Sequence, residues 1–226
     1  MSGVSVVMAV LNGAARLPQA LESIRAQTAP VSEIVLVDGG STDGTRALAQ
    51  AAPDVRLVEQ RGPSLADAYN TGIAETSGSH VAFLAHDDEW LPCKVEVQLA
   101  RLSAQPVADA VVGHAQYVID PGDVPPPGFR PELLDGPRPA RLMETLLAPR
   151  AVFDRVGPFR REVSPADDVD WFARAQDLGV RVAVVPDLVL RKRVHGESTA
   201  YTSAMTGAGL LSTLRASIER KRAAGT

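Results

Sequence analysis

The chain has one cysteine in 226 residues, no uninterrupted apolar run approaching the thickness of a bilayer, and no excess of positive charge. The lone thiol, Cys93, excludes an intrachain disulfide and a cysteine-rich zinc site, and it fits a reducing compartment. Beside an acidic turn, it reads as a small packing residue. With 23 basic and 27 acidic side chains interspersed and a net charge of −4, the sequence lacks the basic face or stripe that holds nucleic acid, so nucleic acid is not an expected partner. Met1-Ser2-Gly3 runs straight into strand-like residues without a basic, apolar leader, and nothing approaches the ~20 apolar residues of a membrane helix. The expectation is a soluble, cytoplasmic protein. Internal repeats are also lacking.

What is present is length and a hydrophobic content of 45%, enough for the core of one sizeable α/β domain. Val4 to Val10 and Glu33 to Val37 read as buried strands, with Leu17, Leu21 and Ile24 marking a helix face between them. The alternation continues with a helix from about Asp43 to Ala51, a strand at Val55 to Val58, a helix from about Ser64 to Glu75 and a strand at His80 to Leu84. Four strands separated by three helices imply a parallel sheet with right-handed crossovers. Val95, Leu99 and Leu102 mark a further helix, and Ala110 to Ile119 returns to strand character. From Asp120 to Pro139 proline and glycine are too frequent for regular structure, which predicts a long surface loop. Beyond it we expect a helix from about Asp168 to Leu178 and two strands, Val180 to Val185 and Leu188 to Val194. Leu210, Leu211, Leu214 and Ile218 recur at helical spacing near Arg215, Arg220 and Lys221, suggesting a C-terminal helix packed on its own domain or on a second subunit, with weak membrane attachment as a lesser alternative.

Two turns carry chemistry. The strand Val81-Ala82-Phe83-Leu84 leads through Ala85-His86 into Asp87-Asp88-Glu89, placing carboxylates where open α/β sheets bind ligands and where a metal would be held. The turn Asp38-Gly39-Gly40-Ser41-Thr42-Asp43-Gly44-Thr45 combines glycines that allow close approach of a ligand, residues able to cap the next helix, and an acid able to accept hydrogen bonds from a nucleobase or ribose. Asp167, Asp168 and Asp170 also read as the acidic first turn of a helix, favoured by its dipole.

Four segments in order resemble the family 2 inverting glycosyltransferases, whose nucleotide-sugar-binding fold is called GT-A. They are Val6-Val7-Met8-Ala9-Val10-Leu11-Asn12; the turn Asp38 to Thr45; Gly62 through Asp67-Ala68-Tyr69-Asn70-Thr71-Gly72-Ile73 to Asp87-Asp88; and Gly157-Pro158-Phe159 with Asp167-Asp168-Val169-Asp170-Trp171 and Arg193-Val194-His195-Gly196. The resemblance implies a single GT-A domain over residues 1–226, with an open, mostly parallel, Rossmann-like sheet flanked by helices. Its expected parts are a nucleotide-sugar half at 4–119, the loop 120–139, an acceptor and catalytic half at 140–200, and a C-terminal helix at 203–222 through which a homodimer would form.

The implied activity is hexosyl transfer with inversion from a nucleoside-diphosphate sugar, most commonly a UDP-sugar, to a hydroxyl of a saccharide, lipid-linked glycan, peptide or small molecule. The resemblance assigns donor binding to Val10, Leu11, Asn12, Asp38, Asn70, His86, Asp87 and Arg193, with Arg193 pairing with phosphate. It assigns a divalent cation, Mn²⁺ or Mg²⁺, to Asp87 and His195. Asp168 is implied as the general base, with Asp167 orienting acceptor or base, and Trp171 reads as core. The sequence departs from the family at Ala85, which replaces the first acid of the metal motif; His86 or Asp88 are the residues that could compensate. Two alternatives stand beside this reading: a nucleotide-sugar-binding protein without turnover, and a sugar nucleotidyltransferase. Residues Ala9 to Arg16 lack the glycine-rich, basic triphosphate loop that the latter needs.

Overall fold

The computed structural model describes residues 3–164 and 166–196. In chain order it forms β1 (Val4–Val10), α1 (Leu17–Arg25), β2 (Glu33–Asp38), α2 (Thr45–Ala51), β3 (Val55–Glu59), α3 (Leu65–Glu75) and β4 (His80–Phe83). There follow β5 (Glu89–Trp90), α4 (Lys94–Ser103), β6 (Ala110–Val118), β7 (Arg138–Pro139), β8 (Leu147–Pro149), α5 (Arg150–Val156), α6 (Asp167–Asp177) and β9 (Val182–Arg193).

All strands join one sheet in the order β3-β2-β1-β4-β8-β6-β9-β5, with β7 pairing beside β6. The expected parallel unit is present: β1 pairs in parallel with β2 and β4, and β2 with β3. Beyond it the sheet is mixed, because β8 runs antiparallel to both β4 and β6. Apolar side chains fill both faces, as a sheet covered by helices requires. On one face Val6, Met8 and Leu36 pack with Leu17, Leu21 and Ile24 of α1 and with Val95 of α4. On the other, Val7, Val35 and Phe83 meet α3, α5 and α6 through Ala68, Phe153 and Trp171. α3 lies so close to β1 that a Cβ added at Gly72 would stand 2.2 Å from Cγ1 of Val7.

Three sequence expectations are corrected here. The two strands expected at 180–194 are one strand, which runs through Pro186. Its register with β6 moves from Val112 opposite Val184 to His114 opposite Leu188, so the irregularity absorbs the residue that cannot donate a ladder hydrogen bond. β5, β8 and α5, two to seven residues long, were not expected. The 120–139 segment contains a short 3-10 turn, Pro131–Leu134, as well as β7. Its first residues are tied down: Arg16 donates to both oxygens of Asp123, at 2.8 and 2.7 Å, and Arg193 Nε to Asp120 at 2.8 Å. The C-terminal helix at 203–222, with the homodimer contact assigned to it, lies outside the described residues. Among those described, no helix is long and apolar enough to cross a membrane.

Candidate active site

The parallel strands β1, β2 and β4 point their C-terminal ends to one edge of the sheet. There the loop after β1 and the turn after β2 are stitched into one lip. Asn12 adopts a left-handed backbone conformation, φ 52°, which for a residue other than glycine needs compensation. Its Oδ1 accepts the amide of Thr42 at 2.8 Å, and its own amide donates to Ser41 Oγ at 2.9 Å. The amides of Gly13 and Ala14 donate to Thr45 Oγ1 and Asp43 Oδ2, both at 2.9 Å. Val10 is buried and its carbonyl accepts Gly39 N at 2.8 Å, whereas Leu11 is 56% exposed on the lip.

Two residues expected to touch the donor are otherwise engaged. Asp38 is fully buried and accepts from the amides of Gly40 and Ser41 and, at 2.7 Å, from Arg46 Nη1. Burial would raise its pKa; the hydrogen bonds from Ser41, Arg46 and Gly40 outweigh it and lower the pKa. Asp38 thus shapes the turn instead of presenting a free carboxylate. Asn70 uses both ends of its amide on Phe159, donating to the carbonyl and accepting from the amide at 2.8 Å each. It ties α3 to the segment before α6.

Past β4, the amide of Asp88 donates to the carbonyl of Ala85 at 3.2 Å and turns the chain. The two aspartates then part company. Asp88 is fully buried, accepting Lys192 Nζ at 2.6 Å and the amide of Arg193 at 2.9 Å, so it is not free to replace the acid missing at Ala85. Asp87 faces the open edge and accepts from His195 Nε2 at 2.9 Å. Burial would raise the Asp87 pKa, but the His195 hydrogen bond and the charges of Lys192 and His86 hold it below the usual carboxylate range. His86 packs its ring against Gly13, where a Cβ would come within 2.4 Å, and burial lowers its pKa. Arg193, expected to meet phosphate, is 5% exposed and already bonded to Asp120, Glu89 and the carbonyl of Asp87. It braces the acidic turn from behind.

The Asp87 and His195 pair fits a hard or borderline cation. Ligands about 2.1 Å from an octahedral ion and at right angles lie about 3 Å apart, which is the spacing of Oδ2 and Nε2 here. Among the described residues no cluster of three or more acidic, histidine or cysteine ligands forms, so this pair would need oxygens from a bound molecule to complete a coordination shell.

α6 carries Asp167 and Asp168 on its first turn. Asp167 is 2% exposed and accepts from Ser164 Oγ at 3.0 Å, while its Oδ1 has no protein partner. Asp168 is partly buried and accepts the Val169 amide at 2.7 Å through one oxygen. Burial pushes the pKa of both acids up to about 6, and Glu144 adds to the shift at Asp168. Asp170 is bound by Arg160 and Arg174 and serves structure alone. Trp171 is fully buried between Phe153 and Phe172, in the core as expected.

Between the two sides stand residues that sequence reading missed. Lys192, with its side chain 12% exposed, bridges Asp88 at 2.6 Å and Glu144 at 3.0 Å. Burial would lower the Lys192 pKa; Asp88 and Glu144 outweigh it and keep the side chain a cation. The phenols of Tyr69 and Tyr117 lie in the field of the same groups and are pushed up, mainly by burial, so they stay protonated. The available signal was the basic run Arg191-Lys192-Arg193 closing an otherwise mostly apolar strand; the partners of Lys192 are 48 and 104 residues away.

Comparison with known proteins places this geometry. An uncharacterised glycosyltransferase of Rickettsia prowazekii is 28% identical over 220 residues, covering 88% of this chain and 66% of its own length. The chain thus spans just under two thirds of that relative. Residues 1–349 of Staphylococcus aureus TarS, in complex with UDP-GlcNAc, superpose with a TM-score of 0.75 at 16% identity, over 97% of this chain and 66% of that one. The mannosyltransferase PcManGT of Pyrobaculum calidifontis, in complex with GDP-Man and Mn²⁺, gives 0.71 at 24% identity, over 97% of this chain and 65% of its own. These likenesses establish a shared fold, that of nucleotide-sugar transferases of the GT-A type. The model of glycosyl transferase family 2 matches residues 5–161, from the first buried strand through the acidic turn to the segment before α6, and the chain belongs to that family.

Proposed function

We propose that the chain transfers a monosaccharide from a nucleoside-diphosphate sugar to a hydroxyl acceptor with inversion, aided by a divalent cation. One observation carries the reading: Asp87 pairs with His195 just past the C-terminal end of β4, and Lys192 acts electrostatically on both Asp87 and Asp168 of α6. The nucleotide rests on the lip formed by Leu11, Asn12 and the Gly39–Gly44 turn. Asp87 and His195 would hold the cation, which would neutralise charge growing on the leaving diphosphate. TarS and PcManGT, solved with UDP-GlcNAc and with GDP-Man and Mn²⁺, support a sugar nucleotide and a cation of this class.

Asp168 is the general base. Its second oxygen makes no protein hydrogen bond among the described residues, and a carboxylate with a pKa of about 6 is both ionised at neutral pH and basic enough to take the acceptor's proton. The acceptor oxygen then attacks the anomeric carbon from the face opposite the diphosphate, a single displacement that inverts configuration. Asp167 orients the acceptor or the base. On this reading residues 4–119 bind the donor and 140–200 the acceptor, and transfer takes place on the cytoplasmic side.

The test is a screen of uridine, thymidine and guanosine diphosphate sugars with Mn²⁺, Mg²⁺ or EDTA, following release of nucleoside diphosphate and thermal shift together. Cation-dependent release from one donor is expected. No shift and no release with any donor would contradict the assignment.

A further inference from the structure

Glu144 is held with more care than a counter-ion needs. Three consecutive carbonyls around it are gripped by buried donors from β5 and α4: Trp90 Nε1 to Glu144 at 3.0 Å, Gln98 Nε2 to Thr145 at 2.7 Å, and Lys94 Nζ to Leu146 at 3.3 Å. Thr145 Oγ1 closes the turn by donating to the carbonyl of Ala140 at 2.7 Å. The backbone under Glu144 is thereby fixed from below.

The side chain is fixed from one side only. Its Oε1 accepts from Lys192 at 3.0 Å, yet Lys192 is already matched by Asp88 at 2.6 Å. Lys192 therefore fixes one oxygen of Glu144 and with it the direction of the other, in a largely buried place. The other carboxylate oxygen makes no protein hydrogen bond among the described residues, and it is not sealed from solvent. Through Lys192 the residue is coupled to the turn that carries Asp87, and it lies in the electrostatic field of Asp168. Glu144 thus interacts electrostatically with Asp168 and, through Lys192, with the turn of Asp87, the two groups between which the transferred sugar lies on the function proposed above.

Building on the function proposed above, we propose that Glu144, oriented by Lys192, binds a hydroxyl of the transferred sugar and selects which sugar the donor carries. A rigidly mounted carboxylate accepts one or two hydroxyl donors and disfavours sugars that lack them, because its second oxygen is then covered without a donor.

Calorimetric titration with UDP-glucose, UDP-GlcNAc and GDP-mannose, each beside its bare nucleoside diphosphate, tests this. Wild type should bind one sugar nucleotide more tightly than its diphosphate. Glu144→Gln, of the same shape, should cut that margin about tenfold while leaving diphosphate affinity within twofold. A merely structural role would weaken both ligands alike. Glu144→Asp keeps the charge but withdraws the oxygen, and should lose the margin as well. A margin absent in wild type, or intact in a folded Gln or Asp variant, overturns the inference while leaving the transferase reading in place if the nucleotide still binds. Wild type that binds neither the diphosphates nor their sugars overturns both.

Discussion

Asp168 and Asp87 ask for opposite things from their surroundings, and the structure supplies both. Asp87 is kept ionised by His195 and Lys192, as the role proposed for it as cation ligand requires, whereas Asp168 is raised by burial and Glu144 to about 6. Two predictions follow the second acid. If Asp168 is the base, as proposed, it must be ionised, so kcat/KM should fall as pH drops through about 6; a pH profile checks this, and Asp168→Asn should lower kcat by roughly 10² to 10⁴ while donor affinity stays unchanged. Because its folded pKa lies above the ordinary 3.8, ionising Asp168 costs stability as pH rises from about 4 to about 6, and the cost is complete above that window. Asp168→Asn should therefore be more stable at pH 7.5, on the order of 1–2 kcal/mol by urea unfolding, while being less active. Asp87→Ala should abolish stimulation by Mn²⁺ or Mg²⁺, measured against EDTA. At this scale the pairing of Asp87 with His195 was legible, because each lies in a short segment of distinctive composition. Glu144 and Lys192 were not legible, since their meaning lies in contacts with residues far away in the chain.

The elements that hold these residues make their own predictions. α3 packs on β1 through Gly72, where helix propensity and packing disagree. Alanine is favoured over glycine in a helix interior by about 1 kcal/mol, but its Cβ would overlap Val7. Packing should win, so Gly72→Ala should destabilise the fold by about 1–3 kcal/mol in urea unfolding. α4 buries Lys94 completely against Gln98 and the Trp90 ring, and burial lowers its pKa to about 7. The unfolded chain then binds the extra proton between about pH 7 and 10.5, so stability should rise with pH across that window, and Lys94→Met should flatten the rise. The first four strands and three helices could be read from the sequence because each is periodic and bounded by turn residues. β5 and β8 could not: strands of two and three residues exist only by pairing with β9, and with β4 and β6. The break expected near Pro186 is the converse case, where sheet pairing on either side carries one strand through a local breaker.

For the whole molecule, a parallel half supplies the lip on which the proposed nucleotide rests, and a mixed half returns β9 so that His195 meets Asp87 past the end of β4. The order of motifs in the sequence indicated that convergence; how tightly Asp38, Asn70 and Arg193 are absorbed by neighbouring side chains and backbone did not follow from order and needed the fold. The measurement that bears most directly on the account is release of nucleoside diphosphate from the donor selected by screening, with Mn²⁺ or EDTA, for wild type, Asp87→Ala and Asp168→Asn side by side. Release by wild type that EDTA suppresses, lost in Asp168→Asn and no longer stimulated by cation in Asp87→Ala, is the predicted result. Release that proceeds equally in all three proteins and ignores EDTA would contradict it.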